Sequence, residues 1–148
     1  MKTLAAHFAL FAALLALVQP LAAADTWIGT WVQRNQPITM IIEPYGAGGQ
    51  KITYRVKTDA KETVMVVESA LDGTDAPVKI DDKPSSQTSA WKRLDDRHLS
   101  AVGKVNGQPF EITKGEVSAD GKTLTVQKEY PSATQGNPVT ITEIWDRK

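Results

Sequence analysis

The sequence predicts an all-β fold, a single antiparallel up-and-down barrel of about eight to ten short strands. Three observations lead there. Period-2 alternation dominates: in KITYRVKT, residues 51–58, Ile52, Tyr54 and Val56 share one face while Lys51, Thr53, Arg55 and Lys57 share the other, as a sheet wet on one side requires. Turn chemistry cuts the chain at short intervals, at Gly46-Ala47-Gly48-Gly49, Asp72-Gly73, Asn106-Gly107, Asp120-Gly121 and the Pro131 to Pro138 loop, so that neighbouring strands pair antiparallel. No window long enough for a core helix carries apolar residues at helical spacing without interruption by Gly, Pro or β-branched runs. Hairpin-like connections nearly throughout favour a meander, and closing it removes exposed edges.

The elements follow in order. Residues 1–24, MKTLAAHFALFAALLALVQPLAAA, place Lys2 before an apolar run that ends in Ala22-Ala23-Ala24. This is the pattern of a signal peptide, with cleavage expected after Ala24 and a destination that is periplasmic or secreted. A mature chain of 124 of the 148 residues suits one domain, 25–148. The first strand is expected at 28–34, just inside the Trp-rich start. Strands at 38–44 and 51–58 flank the glycine-rich tip, and a strand at 62–69 ends before Asp72-Gly73. Strands at 76–80, 87–94 and 97–105 are separated by the acidic pairs Asp81-Asp82 and Asp95-Asp96, which are ordinary turn material. Asn106-Gly107 and Asp120-Gly121 then divide strands at 109–118 and 122–130, and the last strand is expected at 138–147.

Composition narrows the function classes. Without Lys2 the chain carries 16 Lys and Arg against 17 Asp and Glu, in small alternating clusters, so nucleic acid is not an expected partner. Nothing after Trp27 approaches the run of about 18 apolar residues that a spanning helix needs. The chain has no cysteine, which removes a disulfide framework and a lipid-modified N-terminal Cys. A monomer held together by burial alone is expected.

Closure of the barrel is written at both ends of the mature chain. In an extended strand Trp27, Gly29 and Trp31 point the same way, and Gly29 lacks the side chain that would hold a flanking segment away. Val139, Ile141, Glu143, Trp145 and Arg147 share one face of the last strand. Pairing first strand with last brings Trp145 and Arg147 near Trp31, where a guanidinium over an indole is favourable. The tryptophans then plug one end of the barrel. Gly29-x-Trp31 with a basic residue near the end of the final strand resembles the signature of lipocalins and the wider calycin group. The order WIGTW, LDGTDAPV, WKRLDDRHL, VSADGKTLTV and EIWDRK is similar to small exported bacterial lipocalin-like proteins. The resemblance spans nearly all of 25–148 and implies a small barrel that binds an apolar molecule.

Catalytic and metal chemistry find little support. His98 is the only histidine after residue 24, so His- or Cys-rich zinc spheres cannot be built. Asp95-Asp96-Arg97-His98 is a solvated turn, since adjacent residues at a hairpin cannot all converge on one ion. A triad using His98 with Ser85, Ser86, Ser89 or Ser100 lacks a G-x-S-x-G elbow. Glu43, Glu68, Glu111, Glu129 and Glu143 have no spacing that sets two at a defined separation. Gly46-Ala47-Gly48-Gly49-Gln50 precedes a strand and not a helix, which removes the basis of a phosphate cradle. No cofactor and no enzymatic activity are expected.

Parity yields the binding site. If Trp91 is inward, then Gln87, Ser89 and Arg93 share its face; if Trp145 is inward, so are Glu143 and Arg147. Charges inside a barrel must pair, reach water at an open mouth, or meet a polar group of a ligand; a bulge that shifts register or an Arg93 that snorkels at the rim is the structural alternative. The expected pocket has walls of Met40, Ile42, Tyr54, Val56, Trp91, Phe110, Ile112 and Leu124, with Arg93 and Glu143 fixing a polar head. The expected function is a non-catalytic carrier of a small apolar or amphipathic ligand. The alternative is a protein-interaction module, such as an exported hydrolase inhibitor, with a filled barrel and contacts through the loops at 81–89 or 131–138. A carrier needs an interior cavity of about several hundred Å³ and an inhibitor does not.

Overall fold

The computed structural model describes residues 25–131 and 137–148. The expected signal peptide, 1–24, and the centre of the Pro131 to Pro138 loop lie outside the described residues. Ten strands follow one another: β1 (Gly29–Gln33), β2 (Ile38–Tyr45), β3 (Gly49–Lys57), β4 (Glu62–Ser69), β5 (Asp72–Ile80), β6 (Lys83–Arg93), β7 (His98–Val105), β8 (Gln108–Val117), β9 (Thr123–Tyr130) and β10 (Val139–Arg147). Each pairs antiparallel with the next, and β1 pairs with β10 through Trp31 opposite Arg147, so the meander closes into a barrel. The expected all-β up-and-down barrel is what forms. Among the described residues no helix is long and apolar enough to cross a membrane.

The largest departures from the expected elements are β5 and β6. Asp72-Gly73 does not separate strands; it opens β5, where Gly73 takes φ +89° and the Asp72 carboxylate accepts from the Thr74 backbone N–H and hydroxyl. The turn before it is made by Ala70 and Leu71, the latter at φ +60°. Between β5 and β6 the connection is only Asp81-Asp82, both at positive φ, the backbone of a type I′ hairpin. β6 therefore starts at Lys83 and runs for 11 residues. Propensity favoured Gly over Asp for such a turn, and the paired register of β5 and β6 overrode it.

The end of the barrel that holds Asp25 and the β2–β3, β6–β7 and β8–β9 turns is solid. Trp27, Trp31, Leu99, Val117, Leu124 and Trp145 are buried there. Trp31 arrives on β1 as expected, but Trp27 does not continue the strand. It sits in a turn closed by Ile28 N–H to the Asp25 carbonyl, and its ring lies against Gly115, where an added Cβ would come within 2.8 Å. The Trp31 indole N–H donates to the Trp27 carbonyl at 3.0 Å, which ties the two halves of the plug together. Arg147 covers this end. Its guanidinium stacks 4.2 Å from the Trp31 ring centroid and donates to the carbonyls of Gly121, Ile28 and Thr26. Gly29, at φ +142°, makes room for it: a Cβ there would lie 2.6 Å from Arg147 Nη1.

Four exposed aspartates pin this scaffold, and all titrate below their ordinary value. The Thr74 N–H holds Asp72 down, the Arg97 N–H and then His98 hold Asp95, the Ser118 hydroxyl and Lys122 N–H hold Asp120, and Arg34 holds Asp146. A carboxyl whose folded value is depressed contributes stability above its unfolded value, here 3.8, and loses it as pH falls through the folded value. Urea midpoints are therefore expected to be flat from pH 7 to about pH 5 and to fall below about pH 4, less steeply in high salt because these groups are exposed. A midpoint that is unchanged at pH 3 counts against this assignment.

Candidate functional site

At the opposite end, bounded by the turns at 34–37, 58–61, 81–82 and 106–107, the barrel is not filled. A cavity of about 290 Å³ lies there, at the lower edge of the range for small-molecule sites. Its two sides differ in chemistry. Ile38, Val56, Met65, Val67 and Val78, from β2 to β5, form an apolar wall, and Glu111, Lys128 and Glu143, from β8 to β10, face it with charge. Tyr54, Trp91 and Trp145 form the floor, with Tyr54 and Trp145 meeting edge to face at a centroid distance of 6.2 Å and 65°. Below the floor lies a void of about 10 Å³, among Trp27, Met40, Ile42 and Leu124. That is the size of a single water and no more. The site is a shallow cup over a packed base.

The charged wall is a connected network. Lys128 Nζ lies 3.1 Å from Glu143 Oε1 and 3.9 Å from Glu111 Oε2. The Tyr130 hydroxyl donates to Glu111 Oε2 at 2.8 Å, the Thr113 hydroxyl to Glu111 Oε1 at 2.9 Å, and the Trp145 indole N–H to Glu143 Oε2 at 3.2 Å. Side-chain exposure is 12 % for Glu143, 20 % for Lys128 and 21 % for Glu111, so solvent screens these charges less than surface ones. Two carboxylates meet one ammonium. Both phenols are raised mainly by burial: desolvation pushes Tyr54 well up, and the Glu111 and Glu143 charges push it further. Tyr130 moves the same way, through desolvation and then its hydrogen bond to Glu111. Both phenols therefore stay protonated near neutral pH. The Trp91 indole N–H, the Gln33 side-chain oxygen and the Thr88 hydroxyl, all in residues that line the cavity, are buried and have no partner among the described residues.

The expected site residues separate by height in the barrel. Tyr54, Val56, Trp91, Phe110 and Glu143 line the cavity, and Gln87 and Ser89 share the Trp91 face as parity required. Met40, Ile42 and Leu124 point inward too but pack below the floor. Arg93 is not beside Glu143. It lies at the solid end, where its guanidinium donates to Asp25 Oδ2 at 2.6 Å beside the Gln50 amide, which donates to the same oxygen at 2.9 Å. The Arg93–Glu143 anchor is thus replaced by Lys128 with Glu143 and Glu111. Ile112 does not line the cavity. The β7–β8 register shifts between Gly103 and Lys104, which brings both Phe110 and Glu111 to the wall and turns Ile112 away from Thr113, Gly115 and Val117. Trp145, expected only to close the barrel, also forms the floor of the cup.

Gln33, Ile38, Met65, Val67, Val78 and Lys128 belong to the wall without having been singled out, and Glu111, named only among carboxylates whose spacing sets no pair, meets the same Lys128 as Glu143. Lys128 had a legible signal: in LTVQK it follows Leu124 and Val126 at inward parity. His98 lies on the outside at the solid end, with Nδ1 2.8 Å from Asp95 Oδ1 and Nε2 3.6 Å from Glu116 Oε1. Among the described residues no group of three or more His, Cys, Asp or Glu is placed to hold a metal ion.

Comparison of the chain with protein-family models, with curated proteins and with solved structures gave no match.

Proposed function

We propose that this protein is a lipocalin-like carrier that is exported and binds one small amphipathic molecule in the barrel mouth without transforming it. The observation that carries the reading is the cavity itself: about 290 Å³, apolar on one side and hydrogen-bonding on the other. Burial of an alkyl or ring portion against Val56, Met65, Val67 and Val78 supplies affinity at about 25 cal/mol per Å² of apolar surface, and the polar wall sets orientation. Closure of β1 on β10 beneath the Trp31–Arg147 stack supports the lipocalin-like reading of the fold. A hydrolase inhibitor with a filled barrel is the weaker reading, because the upper interior is not filled.

The test is native mass spectrometry of the full chain expressed in an exporting bacterial host, with solvent extraction of what co-purifies. A stoichiometric adduct lost on denaturation is expected. Val78→Phe, which places a ring in the cup, is expected to abolish the adduct while the protein remains folded. An adduct of equal mass and occupancy on Val78→Phe, or a clean apo mass together with a co-purifying protein partner, overturns the reading.

A further inference from the structure

We infer that the ligand of the cup is a cationic amphiphile, a small molecule with an ammonium group and an apolar body; this rests on the carrier reading above. Three observations converge. Glu111 and Glu143 outnumber Lys128 on the wall, all three with side-chain exposures of 21 % or less, so the cup's own side chains leave a net negative charge. Desolvating that charge under a neutral or anionic ligand is costly, whereas an ammonium beside it replaces lost hydration with a direct partner.

The second observation is geometric. Lys128 is already engaged by Glu143 at 3.1 Å, so an anionic head would have to compete with a carboxylate for the cation and would lie near Glu111. A cationic head meets carboxylate oxygens that carry acceptor capacity beyond their Tyr130, Thr113 and Trp145 donors, since an ionised carboxylate offers about four acceptor sites. The third is the company these carboxylates keep. Tyr54, Trp91, Trp145 and Phe110 surround the same space, and aromatic faces attract ammonium ions in addition to burying carbon.

The experiment is calorimetric titration of the solvent-stripped, exported protein with octylamine, octanoate and 1-octanol at neutral pH, three chains of one length with cationic, anionic and neutral heads. Octylamine is expected to bind at least about tenfold more tightly than either of the others. Glu143→Gln keeps an acceptor for Trp145 while removing a charge, and is expected to lower octylamine affinity about tenfold with little change for octanol. Lys128→Met is expected to move the octylamine preference the other way, so the inference stays testable if one variant fails to fold. Octanoate or octanol binding as tightly as octylamine, or a preference indifferent to both substitutions, overturns the cationic assignment and leaves the carrier reading standing. Failure of all three chains to bind overturns both.

Discussion

Trp31→Ala is expected to destabilise the barrel by about 3–5 kcal/mol, the range for removing a fully buried aromatic. Trp31 has no accessible surface, and its loss does three things at once. It opens a void at the solid end, removes the indole donor from the Trp27 carbonyl, and leaves the Arg147 guanidinium without the ring on which it stacks. Because β1 is only five residues long and bonds β10 through three residue pairs, the plug side chain carries much of the closure. Denaturant unfolding monitored by circular dichroism measures the effect. Trp31→Phe keeps most of the buried area and is expected to lose about 1–2 kcal/mol, mainly the orphaned Trp27 carbonyl. A Trp31→Ala midpoint within error of the parent removes the plug as the source of closure.

Arg147→Met is expected to cost about 3 kcal/mol or more, because the side chain serves carbonyls from two separate stretches, Thr26 and Ile28 before β1 and Gly121 in the β8–β9 turn. A hydrogen bond from a charged donor is worth about 1.5–3 kcal/mol, and methionine satisfies none of the three acceptors while filling similar volume. The stack on Trp31 makes the two residues non-additive: in a double-mutant cycle with Trp31→Ala the double variant is expected to lose about 1 kcal/mol less than the sum of the two single losses. Additivity within error means the stack contributes geometry and no energy. Gly29 ties into the same test. Gly29→Ala collides with Arg147 and strains a positive φ, so part of its cost is expected to vanish in the Arg147→Met background, and only the backbone strain remains.

Residues of alternating polarity and short turn pairs made the strand list legible. Asn106-Gly107, with φ of +49° and +78°, behaves as hairpin chemistry dictates, and strands β7 to β10 begin and end within about two residues of expectation. The exceptions are local. Asp72-Gly73 reads as a loop from its residue types, but its aspartate caps the start of β5 and its glycine absorbs a register irregularity between β5 and β6. Nothing in those two residue types distinguishes a hairpin tip from a bulge.

Parity told which side chains enter the barrel and was silent on how deep they sit. Arg93 and Glu143 are both inward, yet one lies under the tryptophan plug with Asp25 and the other on the cavity wall with Lys128. The same holds for Met40, Ile42 and Leu124, which are inward but below the floor. Depth follows from the stagger and tilt with which ten strands close, a property of all the pairings together. The single β7–β8 shift then reassigned Phe110, Glu111 and Ile112 in one step, since a slip of one residue exchanges the faces of everything beyond it.

The chain's own residues thus settle the strand period, the turns, the Trp31–Arg147 closure and the identity of most inward positions, because these depend on neighbours two residues apart or on the pairing of first strand with last. The cup arises only when β2 to β5 close against β8 to β10, and the Glu111–Lys128–Glu143 cluster only when β8, β9 and β10 lie side by side. Side chains 15 or more residues apart, Glu111 with Lys128 and Lys128 with Glu143, meet there because barrel closure brings them to one height, and no local rule of sequence encodes that height.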